Sequence, residues 1–148
     1  MQLSALRVGL SAVRFFIDNN LPPALAGSLH SLSVSQGGPP VVHLRDKFQP
    51  NVEDHIWIST LAGERDWVIV TRDRLTKNPL EKQALRESGL TSFFLVKGWA
   101  NQKFWEVSSR IVRWWPRITE QAAAVQAGAT FLVPWQFSGN GKFKQFNF

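Results

Sequence analysis

The sequence predicts an α/β fold of three layers, α/β/α, with a central and mostly parallel sheet and a β-hairpin extension at its C-terminal end. Three observations carry this. Apolar runs of strand length alternate with stretches of helical periodicity, and that order builds a parallel sheet with helices on both faces. The run WVIVT (67–71) is apolar without alternation, as a strand covered on both sides requires. The 148 residues are 44% hydrophobic, which is the size of one domain with enough apolar surface for a core.

Each element has its own signal. RFFID (14–18) reads as a short buried strand. LPPALAGSLHSL (21–32) follows as a helix, with Asn20 as its expected N-cap and prolines in the first turn. SVSQGGPP (33–40) is a loop, VVHL (41–44) a second strand and RDKFQPN (45–51) another loop. VEDHIWISTLAGERD (52–66) has Glu53 and Asp54 in its first turn, as a helix N-terminus favours. After WVIVT, PLEKQALRES (79–88) is a helix stopped by Gly89, and TSFFLV (91–96) is a buried strand. ANQKFWEVSSRIVRWW (100–115) is a helix with an apolar stripe at Phe104, Val107, Ile111 and Trp114, expected to end at Pro116. FLVPWQF and KFKQF flank SGNG and predict the terminal hairpin. The domain proper is expected over 14–118, with 1–13 an extension and 119–148 a segment packing on the same domain.

Composition narrows the function. There is no cysteine, which excludes a disulfide framework, a thiolate zinc site and a thiol nucleophile, and fits a reducing cytoplasm. No apolar run approaches the length of a membrane span. The formal charge is +6 and the pI about 10.3, a balance that favours polyanionic partners, nucleic acid first. Seven tryptophans accompany no tyrosine. Trp114 and Trp115 are adjacent and point about 100° apart on a helix. One is expected at the surface or in an interface, unless the terminal hairpin covers it.

Ligands of open α/β sheets bind outside the carboxyl ends of the strands. Three acids fall at that edge: Asp18 ends the first strand, Asp54 starts the helix before the third, and Asp73 follows the third. Taken singly, each has an ordinary explanation as a turn residue, a helix-terminal acid or half of a surface ion pair. Together they would repel one another, and a hard cation such as Mg²⁺ or Mn²⁺ compensates best. Such ions activate water and stabilise charge on phosphate oxygens, which is phosphodiester chemistry. Glu81 is a candidate fourth carboxylate, and Glu53 competes with Asp54. Asn19 and Asn20 are placed to orient Asp18 or cap the helix. Arg45, Lys47, Arg72, Arg74 and Lys77 flank the acids in sequence and suit nucleic-acid phosphates. His30, His43 and His55 have no metal-ligand spacing.

FFIDNNLPPALAGSL, VVHLRDKF, EDHIWISTLA and WVIVTRDR, in that order, resemble the PIN-like domain superfamily, closest to its small VapC-like toxins. NPLEKQALRESGLTSFFLVKGW and the later WPRI extend the resemblance over about 14–118. It implies a Mg²⁺- or Mn²⁺-dependent ribonuclease, in bacteria often the toxin of a type II toxin–antitoxin pair. Asp18, Asp54 and Asp73 match the three acidic positions. Asn19 stands where related sequences often have Glu, and the fourth acid has no firm match. The implied partners are an RNA substrate and a cognate antitoxin, with a homodimer as a further expectation. The competing reading is a catalytically degenerate RNA-binding or partner-binding module on the same fold.

Overall fold

The computed structural model describes residues 13–72, 78–125 and 127–146. The chain runs β1 (Arg14–Ile17), α1 (Pro23–Ser35), β2 (Val41–His43), α2 (Leu44–Lys47), α3 (Asp54–Glu64) and β3 (Trp67–Thr71). It continues through α4 (Pro79–Ser88), β4 (Thr91–Leu95), a 3₁₀ turn (Lys97–Trp99), α5 (Phe104–Ala124), β5 (Thr130–Val133) and β6 (Lys144–Phe146). The strands form one sheet in the order β2-β1-β3-β4-β5-β6. Every pairing is parallel except β5 with β6. The α/β/α layering expected from the alternation is what forms.

Strand side chains alternate between two cores, one on each side of the sheet. Phe15, Val68 and Phe93 face α1 and α5, whereas Phe16, Ile69 and Phe94 face α3 and α4. This is why β1, β3 and β4 lack polar alternation: neither face meets water. Phe16 sits at the centre of the second core, 4.8 Å from the Trp57 ring and 6.0 Å from Trp67. Lys47 reaches across from α2 to Glu64 at the end of α3, 2.8 Å away, and Trp67 Nε1 donates to the same carboxylate. The lysine bond and then the indole bond hold the Glu64 pKa below its ordinary 4.5. A carboxylate depressed in the folded state stabilises it above the ordinary pKa, and that contribution is lost as pH falls through the folded value. Glu64→Gln should therefore lower the melting temperature near neutrality, and a pH series of melting curves should show the difference shrinking as pH falls through the depressed Glu64 value. Lys47, expected beside the acids as a phosphate contact, is instead committed to this pair.

Several boundaries differ from expectation. The N-cap of α1 is Pro22, not Asn20, because Leu21 first turns inward and is buried. That helix runs on to Ser35, and residues 44–47, expected as the end of a strand and the start of a loop, make a helical turn capped by His43. The largest difference is α5, which passes through Pro116 and ends at Ala124. The ring denies Val112 its helical hydrogen bond, a cost of about 3 kcal/mol. Burial of Ile118 and Ala122 beyond it offsets this, about 2–3 kcal/mol for the isoleucine alone. The C-terminal strands pair antiparallel as a hairpin predicts, but 134–143 separate them and β5 also pairs parallel with β4.

Trp114 and Trp115 are both buried; of the two expected outcomes, cover by the C-terminal segment is the one that forms. Trp115 turns to the sheet, 4.8 Å from Phe15. Trp114 turns to the C-terminal segment, 4.6 Å from Phe137 and 5.2 Å from Phe143. Trp114→Ala should cost about 3–5 kcal/mol in a denaturation experiment, by loss of a large buried side chain. Trp114→Phe should cost much less, because the indole N–H it removes is buried without a partner. The exposed tryptophan is Trp105.

Candidate active site

The sheet order reverses between β1 and β3: the chain leaves β1 for β2 on one side and returns to β3 on the other. Such a switch point opens a crevice at the carboxyl ends of the two strands. Ile17 is in register with Val70, so Asp18 and Thr71 are the residues brought side by side there.

Asp18 is 4% exposed, and Thr71 is fully buried. The Thr71 hydroxyl donates to Asp18 Oδ2 at 2.8 Å, and the Asn20 backbone N–H donates to Oδ1 at 3.2 Å. Asn20 Nδ2 spans both residues, 2.9 Å from Thr71 Oγ1 and 3.4 Å from Asp18 Oδ2. Asn20 Oδ1 in turn accepts the Arg72 backbone N–H at 3.0 Å. One asparagine thus ties the end of β1 to the end of β3. Thr71 and Asn20 are neutral donors, so they fix the direction of the Asp18 carboxylate without cancelling its charge.

The tandem Asn19–Asn20 also binds two arginines. Arg72 Nη2 donates to the Asn20 carbonyl at 2.7 Å. Arg45 Nε donates to Asn19 Oδ1 at 3.1 Å, and Asn19 Nδ2 donates to the Pro50 carbonyl at 2.6 Å. Asn19 therefore anchors the loop that leads into α3, just ahead of Asp54. His43 secures the neighbouring strand end. Its Nδ1 accepts the Arg45 N–H, so Nε2 carries the proton and donates to the Leu21 carbonyl at 2.7 Å.

Asp54 is the first residue of α3 and is half-buried, with Oδ1 accepting from Trp57 Nε1 at 2.8 Å. Glu53, its competitor, is exposed and lies 3.3 Å from the His55 ring. Glu81 lies in the first turn of α4, where Asn78 caps the helix and donates from Nδ2 to Glu81 Oε1 at 3.1 Å. Asp73, Arg74 and Lys77 lie outside the described residues. Among the described residues no three His, Cys, Asp or Glu side chains form a group able to hold a metal ion.

Thr71 and His43 are the site-building residues that motif reading did not single out as such. For Thr71 a signal existed. It is the lone polar residue closing an apolar strand, at the position that parallel register sets beside Asp18. The clamps of Asn19 and His43 act on backbone carbonyls of Pro50 and Leu21, which no spacing rule reveals.

A doubly covered, mostly parallel sheet with a buried carboxylate at its switch point, and with Arg45 and Arg72 on the two asparagines beside it, defines an α/β/α protein with a candidate site at that edge. A sequence model of the PIN-like domain family matches residues 13–97, more than half of the chain, and the chain belongs to that family. PIN-like domains are commonly nucleases, and the fold is of that type. No curated protein and no solved structure matches the chain. Among the described residues no helix is long and apolar enough to cross a membrane.

Proposed function

We propose that the chain is a Mg²⁺- or Mn²⁺-dependent endoribonuclease and the toxin of a type II toxin–antitoxin pair. The observation that carries the catalytic part is Asp18, a buried carboxylate held by neutral donors at the switch point, with Arg45 and Arg72 bound to the two asparagines that follow it. Carboxylate oxygen is the donor a hard divalent cation selects. Asp18, Asp54 and Asp73 would hold the ion, and Glu81 would complete the set from the start of α4. When bound, the ion supplies a nucleophilic water at neutral pH and stabilises charge on the phosphate.

The chain's own residues do the rest. Thr71 and Asn20 fix the orientation of the Asp18 carboxylate at the switch point. Arg45 and Arg72 keep N–H groups beyond those bound to Asn19 and Asn20, and these would bind the phosphodiester backbone. Arg74 and Lys77, next along the chain, would extend that contact. Asn20 acts as a positioning residue behind both the acid and Arg72. The toxin role and an antitoxin partner rest on the resemblance of FFIDNNLPP and WVIVTRDR to the VapC-like group.

The test is cleavage of total RNA by the purified chain with Mg²⁺, with Mn²⁺ and with EDTA, beside Asp73→Asn. Discrete products that need the metal and are absent from the variant are expected. Products that persist in EDTA, or that Asp73→Asn makes equally well, would refute the assignment. Folded protein that retains RNA but never cuts it would favour the degenerate binding module.

A further inference from the structure

Two large aromatic side chains stand uncovered at the same edge of the sheet as Asp18. Thr71 is in register with Phe94, so β4 ends beside the candidate site, and the 3₁₀ turn and the start of α5 follow there. Trp105, in the first turn of α5, is 80% exposed. Phe104 heads the same stripe as the buried Val107, Ile111 and Trp114, yet it is 44% exposed because it lies at the helix end, at the rim of the sheet. Single exposed apolar residues are ordinary, whereas a contiguous apolar patch marks a contact site. The two rings meet at 5.2 Å and 79°, so they do not stack on each other, and the indole keeps a face for a planar partner. The turn that presents them is fixed. Trp99 is fully buried and its Nε1 donates to the Val133 carbonyl at 2.9 Å, while Gln102 Nε2 donates to the Gly98 carbonyl at 3.1 Å.

We propose that Phe104 and Trp105 form a stacking site for an unpaired nucleobase of a single-stranded RNA substrate. The proposal rests on the reading of this edge as an RNA site. Direction favours it. Trp105 shares a flank of α5 with Val112 and Thr119, at seven-residue spacing, and these two wall the groove toward α1. α1 follows β1, whose end carries Asp18, so the indole lies on the side of α5 nearer the candidate site. Charge favours it too. Lys97 and Lys103 are exposed in the turn before the pair, and the chain has no acid from 88 to 105. Glu106 comes next but projects about 100° away, on the flank of Arg110 and Arg113. Lysine is depleted at protein interfaces, whereas phosphates draw it. β4 lies two strand spacings from β1, about 10 Å. The stacked base is therefore at least about three nucleotides from the phosphate at Asp18, at ~3.4 Å each. An indole face reaches a base only where that base is unpaired, so the site selects single strands and tolerates any of the bases.

Fluorescence anisotropy on the full chain tests this, in EDTA so that no strand is cut. The probes are a labelled oligouridylate of about 12 nucleotides, within the usual site size of such surfaces, its duplex with oligoadenylate, and an abasic strand of the same length and charge. The parent is expected to bind the oligouridylate more tightly than the other two. Trp105→Ala should weaken oligouridylate binding about 5–150-fold and leave the abasic strand and the melting curve unchanged. Trp105→Phe, which keeps an aromatic face, should retain most of the affinity, and Trp105→Leu should not. Lys103→Ala should weaken both single strands equally and reduce the salt slope by about 0.7. A parent that binds the abasic strand as well as the oligouridylate overturns the proposal. So does Trp105→Leu equal to Trp105→Phe. Trp105→Ala that binds oligouridylate like the parent also overturns it and leaves the pair to a protein contact. The nuclease reading fails separately: a chain that never cuts RNA, but loses its preference for bases with Trp105→Ala, keeps the stacking site without the catalysis.

Discussion

Asp18→Asn is expected to abolish metal-dependent RNA cleavage while leaving the chain folded. Loss of a residue behind a metal ligand typically costs 10–100-fold, so loss of the ligand's charge should cost more than about 100-fold. The folded state should feel it less. Asparagine keeps the volume and one acceptor oxygen, so the bond from the Asn20 backbone can survive. The other oxygen becomes an amide that can only donate, and it meets Thr71 Oγ1 and Asn20 Nδ2. Reorienting that hydroxyl and losing one bond should cost about 1–2 kcal/mol. Thermal denaturation beside a cleavage assay separates the two effects. Cleavage at the parent rate by the folded variant would remove Asp18 from the catalytic set.

The second large effect belongs to Asn20. Asn20→Ala removes three side-chain bonds at once, to Asp18, to Thr71 and from the Arg72 backbone. It leaves the part-buried Arg72 N–H without that acceptor, and the total should reach about 2–4 kcal/mol. Because the same amide aims Asp18, divalent-ion affinity should fall about 10–100-fold. Isothermal titration with Mn²⁺ on the folded variant measures this without relying on turnover. Asn20→Asp should be worse near neutrality. It preserves the acceptor for Arg72 but turns the donor into a second carboxylate oxygen facing Asp18. Mn²⁺ affinity equal to the parent's in Asn20→Ala would show that Asn20 only holds the two strands together.

The layering was legible because period and length carry it: WVIVT and TSFFLV read as strands covered on both faces, and β3 and α4 begin and end where expected. Pro116 misled because the ring's local cost is fixed, whereas the burial of Ile118 that overrides it depends on tertiary packing. For Trp114 and Trp115 the sequence left two outcomes open, and packing chose cover by the C-terminal segment. Adjacent helical side chains do diverge, but a C-terminal segment carrying Phe137 and Phe143 provides a second surface for one of them. At the candidate site the sequence located Asp18 and the pair Asn19–Asn20 through their place at a strand end. It could not assign which asparagine did what. That depends on which strand lies next to β1, and parallel register with β3 settles it in favour of Asn20.

The two margins of the sheet, β2 and β6, are each only three residues long. A parallel sheet of near-continuous apolar strands forms through distant pairings and leaves its strands uncovered while it does so. Open strand edges are templates on which other chains add and aggregate. Here the apolar ladder of β1, β3, β4 and β5 is enclosed on both sides by short flanks, one following Pro39 and Pro40 and the other beginning with Lys144. β6 does this by running against the direction of its neighbours, so it needs only the connection 134–143 and no crossover helix. The C-terminal residues thus serve the colloidal behaviour of the chain: they leave little edge on which a second molecule could extend the sheet.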